Sequence, residues 1–208
     1  MYNYFKALNA ALQHANFALP TLIIDQARLD VNLAQVKHML SPKVQPRLVV
    51  KSLGSIELLK YITNDLSCNR FMIFHLPHVS LILNAFQDAD ILLGKPMPIK
   101  AVQSFYELNK PFAQAQIQWL IDSIERLHQY LALAKALEFK LFINIEIDVG
   151  LHRGGIQDLT QFRELLKLIQ DNPKHLEFSG LMGYDAHVGK IPKVIKSLDK
   201  TYAQSQAQ

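Results

Sequence analysis

From residue 47 onward the chain alternates short apolar runs with longer amphipathic stretches. The apolar runs occupy 47–53, 70–76, 90–94, 117–122, 141–149 and 176–183. Between them, apolar residues recur at helical spacing over about 55–66, 78–87, 98–112, 124–138 and 158–171, and again from about 192 to the end. Strands alternating with helices of this length predict βαβ units and a parallel sheet. Several runs are almost continuous in Val, Ile, Leu and Phe, as expected of strands covered on both faces.

The first 40 residues read differently. Phe5, Leu8, Leu12 and Phe17 predict a helix over 2–18 that Pro20 ends. A short β-type run at 21–25 follows. A second helix over 26–40 then carries Leu29, Leu33, Val36 and Leu40 on one face, and Ser41-Pro42 breaks it.

Six strand–helix units in series fit either a doubly wound sheet or a (β/α)₈ barrel. The first run ends in Lys51-Ser52-Leu53-Gly54-Ser55, with one glycine where a dinucleotide site wants three. Polar residues instead collect at the C-terminal ends of many strands: Lys51, His75, Lys95, Asp122, Asp148 and Tyr184. Barrels place functional groups there. The expected fold class is therefore α/β, a TIM-type barrel that is incomplete, with about six of eight strands. No Gly/Ser linker interrupts the chain, so residues 1–208 read as a single domain.

Composition narrows the function classes. Half of the 208 residues are hydrophobic and 19% are charged, enough for a folded core. The net charge of +4 is spread without a dense basic block, which gives no reason to expect nucleic-acid binding. One cysteine, Cys68, excludes an intrachain disulfide and suggests a reducing compartment. With no secretory pattern and no long apolar stretch, a cytoplasmic protein without a membrane role is expected.

Several residues can carry chemistry. Lys51 at the end of an apolar strand reads either as an amine of lowered pKa that forms a Schiff base, or as a lysine reaching the rim or paired with a carboxylate. Strict alternation over 144–149 points Asn144, Glu146 and Asp148 to the barrel interior. Their partners there would be basic residues of neighbouring strands or a cofactor. Gly150-Leu151-His152-Arg153-Gly154-Gly155 places a planar, permanently charged donor at the strand mouth, or is a plain surface turn. Tyr184, Asp185 and His187 follow the last strand; Tyr184 and His187 could pack on a planar ligand or relay protons, or simply line the rim. His75 and His78 have a metal-compatible spacing, with Pro77 between them and no third ligand. Cys68 reads as a small core or loop residue and Trp119 as core.

Three stretches together resemble a known family. These are 19–25, then Pro46-Arg47-Leu48-Val49-Val50-Lys51-Ser52, then 145–155 followed by Gly180-Leu181-Met182-Gly183-Tyr184-Asp185-Ala186-His187. They are similar to the N-terminal barrel of the fold-type III pyridoxal-phosphate enzymes, the alanine racemase N-terminal-domain family. The nearer likeness is to the D-serine dehydratase and D-threonine aldolase branch. The resemblance implies that Lys51 holds pyridoxal 5'-phosphate as a Schiff base and serves as the catalytic base. It implies that Arg153 reaches the pyridine nitrogen and that Tyr184 and His187 line the cofactor pocket. The implied function is a lyase or racemase acting on a small-molecule D-amino acid, in a protein compatible with a homodimer.

Two departures accompany the resemblance. Ser52-Leu53-Gly54-Ser55 lacks the histidine that many members carry near the lysine. Members of the branch also have eight barrel strands, a C-terminal β domain and, within that domain, ligands for a divalent metal. The present sequence shows six strands and none of those ligands, and it reads as a truncated chain. A cofactor-binding carrier or homeostasis protein, or an inactive fragment, is the alternative reading.

Overall fold

The computed structural model describes residues 2–188 apart from 16, 18, 110, 111, 113 and 114. The chain divides into two compact units, 1–44 and 45–208. The first contains α1 (Tyr2–His14) and α2 (Gln26–Met39). Asp25 caps α2, its carboxylate accepting the Arg28 N–H at 3.1 Å. Arg28 in turn lies 3.9 Å over the Tyr4 ring. The 21–25 run forms no strand, and Leu22 is 99% exposed. Its sequence favours extended backbone, but a strand needs a ladder partner and none is recorded for it.

The second unit is a parallel sheet in the order β1-β2-β3-β4-β5-β6. The strands are β1 (Leu48–Val49), β2 (Arg70–Ile73), β3 (Asp90–Leu93), β4 (Ile117–Ile121), β5 (Leu141–Ile147) and β6 (Leu176–Gly183). Each crossover is one helix: α3 (Ile56–Leu66), α4 (Leu76–Ala85), α5 (Ile99–Leu108), α6 (Ile124–Leu137) and α7 (Leu159–Gln170). Neighbours in sequence are neighbours in the sheet, which is the winding of a barrel rather than of a doubly wound sheet. With β1 and β6 at opposite edges, the barrel is not closed. The helical pattern expected from about 192 lies outside the described residues.

Strand parity sorts the core. Ile73, Ile91, Leu93, Trp119, Ile121, Ile143 and Ile145 are fully buried on the side covered by helices. There Trp119 donates from its indole nitrogen to the Tyr106 hydroxyl of α5 at 2.9 Å and packs on Tyr130 of α6. Residues of the opposite parity face the barrel interior, where Met72, Leu92, Leu120 and Met182 form one apolar cluster. Toward the strand N-termini the interior turns polar. Arg47 makes a two-pronged contact with Asp90 at 2.9 and 3.0 Å, Gln118 donates to Asp90 at 2.6 Å, and Asn144 donates to Gln118 at 3.0 Å.

Candidate active site

The four residues that the resemblance assigns to the site lie beyond the C-terminal ends of parallel strands: Lys51 after β1, Arg153 after β5, and Tyr184 and His187 after β6. A parallel sheet sends every such end to the same side, so the fold brings residues from distant parts of the chain to one rim.

Lys51 is placed differently from the expected strand end. β1 stops at Val49, and residues Val50–Ser52 form one 3-10 turn, closed by the Leu53 N–H on the Val50 carbonyl at 2.9 Å. The side chain is exposed at the rim, and its Nζ lies 4.4 Å from the centroid of the Phe74 ring just past β2. An ammonium over an aromatic face is an attractive contact. Phe74 is itself wedged against Gly94, where its ring fills the space that a Cβ would take. Among the described residues no carboxylate forms an ion pair with Lys51, so its amine is held by the aromatic contact alone.

A second cluster gathers at β5 and β6. Glu146, only 5% exposed, accepts a hydrogen bond from an Arg153 Nη at 3.2 Å. The Arg153 guanidinium lies 4.2 Å over the Tyr184 ring. Burial pushes the Glu146 carboxyl above its ordinary value, and Arg153 only partly offsets this. His187 approaches the backbone of Gly150, and its Nδ1 is buried with no hydrogen-bond partner among the described residues. Lys51 stands apart from this cluster, since β1 and β5 are four places apart in the sheet order.

Asp148 sits just past the last residue of β5. The sequence offers Asp148 and Glu146 partners on neighbouring strands or in a cofactor. Both take them instead from the loop that follows β5 itself. Burial opposes ionisation of Asp148, but hydrogen bonds outweigh it. The His152 N–H, the His152 ring, the Gln157 amide and the Gly150 N–H hold the carboxyl down at about 2. Sequence reasoning missed Gln157 and the donor role of His152, and no spacing signal marks either. It also missed Arg47, Asp90 and Gln118, although a charge opening the runs at 47 and 90 was a hint.

The remaining candidates are placed more simply. The His75 and His78 rings meet edge to face with centroids 5.3 Å apart, and no group of three potential metal ligands occurs among the described residues. Cys68 is a half-buried thiol that donates to the Pro46 carbonyl at 2.9 Å. Among the described residues no helix is long and apolar enough to cross a membrane.

Comparison with known proteins agrees with this architecture. A family model described as alanine racemase, N-terminal domain, matches residues 24–208. A solved D-threo-3-hydroxyaspartate dehydratase (H351A mutant) is similar with a TM-score of 0.77 and 18% identity, covering 92% of this chain and 50% of that one. The alanine racemase from Bacillus anthracis has a TM-score of 0.69 and 20% identity, over 91% and 48% of the two chains. The histidine racemase from Leuconostoc mesenteroides has a TM-score of 0.67 and 14% identity, over 87% and 46%. The present chain thus spans about half the length of these proteins. No curated protein sequence matches it.

Proposed function

Because the chain belongs to the alanine racemase N-terminal-domain family, we propose that it is the barrel portion of a pyridoxal-phosphate-dependent racemase or lyase acting on an amino acid. The observation that carries this reading is the delivery of Lys51, Arg153, Tyr184 and His187 to one rim of a parallel sheet by β1, β5 and β6. The residues present fit the cofactor's chemistry. An amine with no carboxylate partner among the described residues suits an aldehyde. A guanidinium with donors beyond the one given to Glu146 suits a ring nitrogen. A buried His187 nitrogen with no partner among the described residues suits a polar neighbour in the pocket.

In this reading Lys51 holds the cofactor and afterwards moves a proton at the substrate's Cα. When bound, pyridoxal phosphate supplies stabilisation of negative charge at that carbon. Arg153 donates to the ring nitrogen while Glu146 balances its charge. A guanidinium stays protonated and hands no proton to the ring, so the pull on electrons is moderate. Tyr184 backs the guanidinium and His187 lines the pocket beside Gly150. The likeness to two racemases and a hydroxy-acid dehydratase supports chemistry that starts at the Cα–H bond. We extend this to D-amino acids, with loss of a β-substituent as the lyase outcome.

Incubating the cofactor-loaded protein with D- and L-amino acids in deuterated water tests the reading. Cα–H signals should disappear for at least one D-amino acid, with the enantiomer marking a racemase and a keto acid marking a lyase that expels a β-substituent. Full retention of Cα–H across serine, threonine, alanine and hydroxyaspartate in both configurations would contradict it.

A further inference from the structure

We infer that Asp148 is the positioning residue for Arg153. It builds the 148–157 loop that carries the guanidinium to its place over Tyr184. This rests on the reading that Arg153 faces the cofactor ring, and it gives a role to a residue for which the sequence suggested partners on neighbouring strands or in a cofactor.

The observations are geometric. The Asp148 side chain is 2% exposed. Its Oδ1 accepts the N–H groups of Gly150 at 3.0 Å and His152 at 2.9 Å. Its Oδ2 lies 2.7 Å from the His152 Nδ1 and accepts the Gln157 Nε2 at 2.6 Å. Both oxygens are therefore committed to one loop, from its second residue beyond Asp148 to its last. The backbone closes the same loop: the Asp148 N–H donates to the Ile156 carbonyl at 3.1 Å, and the Ile156 N–H to the Glu146 carbonyl at 2.8 Å.

Within this loop the backbone is left-handed at Gly150 (φ 99°), His152 (φ 55°) and Gly155 (φ 98°). Glycine adopts that region freely. At 155 it is required, because a Cβ there would lie 2.8 Å from the Asp148 nitrogen. Histidine does not adopt it freely, and such a residue persists only where its surroundings over-determine it. Here the surroundings are Asp148, which binds both the main chain and the ring of His152. The next residue is Arg153. Strain is thus held one residue before the functional guanidinium, by a carboxylate whose hydrogen bonds go to Gly150, His152 and Gln157 and not to the guanidinium.

An amide is a poor replacement for this carboxylate. Two backbone N–H groups meet Oδ1, and the His152 ring and the Gln157 amide meet Oδ2; Asp148→Asn removes the charge and would set an NH2 where the ring and the amide must turn an acceptor inward to receive it. The Glu146 carboxylate and Tyr184 receive Arg153 once the loop has brought it there, and Glu146 joins the closure of the loop only through its backbone carbonyl.

The test measures binding of 4'-deoxypyridoxine 5'-phosphate to the full chain by calorimetry. This probe has the ring and phosphate but no aldehyde, so Lys51 chemistry is bypassed. Wild type, D148N, R153M and the double variant form a cycle. Loss of a charge-assisted hydrogen-bond set should weaken binding roughly tenfold in D148N. The same substitution should change little in the R153M background. An equal loss in both backgrounds would overturn the inference, because Asp148 would then act independently of Arg153.

The Arg153 Nε–H resonance of the unliganded protein, identified by its loss in R153M, gives a readout free of any cofactor. It should be displaced by the Tyr184 ring in wild type and move to the position of an exposed arginine in D148N. An unchanged resonance in D148N would overturn the inference. If D148N does not fold, H152A removes the ring contact while keeping the main-chain bond. It should shift the resonance part of the way, and no shift would count against the proposal. Borohydride reduction of wild type loaded with pyridoxal phosphate examines the underlying reading separately. Without a pyridoxyl group on Lys51 that reading fails, while the Arg153 resonance still decides the role of Asp148.

Discussion

Glu146 and Asp148 are two residues apart and respond to burial in opposite ways. Asp148 gathers enough donors to stay ionised, and its carboxyl is held at about 2. Glu146 has one guanidinium contact, and burial pushes its carboxyl up. The consequences for stability differ in sign. For Asp148 the folded value lies below the unfolded one. Its contribution, up to about 2 kcal/mol, is fully present above the ordinary carboxylate range. It is lost as pH falls toward 2. For Glu146 the folded value lies above the unfolded one, so its ionisation costs the folded state as pH rises from the ordinary carboxylate range through its raised value. Urea unfolding from pH 2.5 to 6 should show wild type losing its advantage over D148N at the acid end. It should also show E146Q gaining relative to wild type as pH rises. Parallel profiles for all three proteins would contradict this assignment of the two carboxylates.

At the scale of elements, most of the second unit was legible because each strand is a compact apolar run bounded by polar residues. Each following helix keeps its apolar spacing. The expected runs and the observed strands share their starts within a residue or so, from 47/48 to 176. Two failures have physical reasons. The 21–25 run has strand-forming residues and no ladder partner among the described residues, and β1 gives way to a 3-10 turn before Lys51. Local propensity does not report either event, because both depend on what lies alongside. The placement of Lys51, Arg153, Tyr184 and His187 past strand C-termini was legible, but the supports of Arg153 were not, since the bonds that Asp148 makes exist only once the 148–157 loop has closed on itself. Trp119 was correctly read as core. It is fully buried between α5 and α6, and W119A should lower stability by about 3–5 kcal/mol in denaturant unfolding. A loss under 1 kcal/mol would mean that this aromatic cluster does not organise the helices. In the β5 loop, G155A should destabilise by at least about 1 kcal/mol, because the left-handed backbone and the contact with Asp148 both exclude a Cβ.

The whole molecule shows a sheet wound in barrel order but with two edges. Among the described residues β6 pairs only with β5, and it leaves Phe178 and Leu181 42% and 50% exposed. An eight-residue strand without proline or lysine has only Glu177 and one bulge to discourage edge pairing. The weight-average mass in sedimentation should therefore rise with concentration for the chain as given, and L181K should suppress the rise. Equal behaviour of the two proteins would show that this edge is not where chains meet. The relatives of known structure are about twice as long as this chain, so what the rest of such a protein adds to the rim is a separate matter from the half described. What this half does bring is an amine, a guanidinium, a phenol and an imidazole at the same end of one sheet. The measurement that bears most directly on this is borohydride reduction of the chain after incubation with pyridoxal phosphate, followed by peptide mapping. The account predicts a pyridoxyl group on the peptide containing Lys51 and its loss in K51A. Labelling of other lysines with Lys51 unmodified, or no label at all, would contradict it.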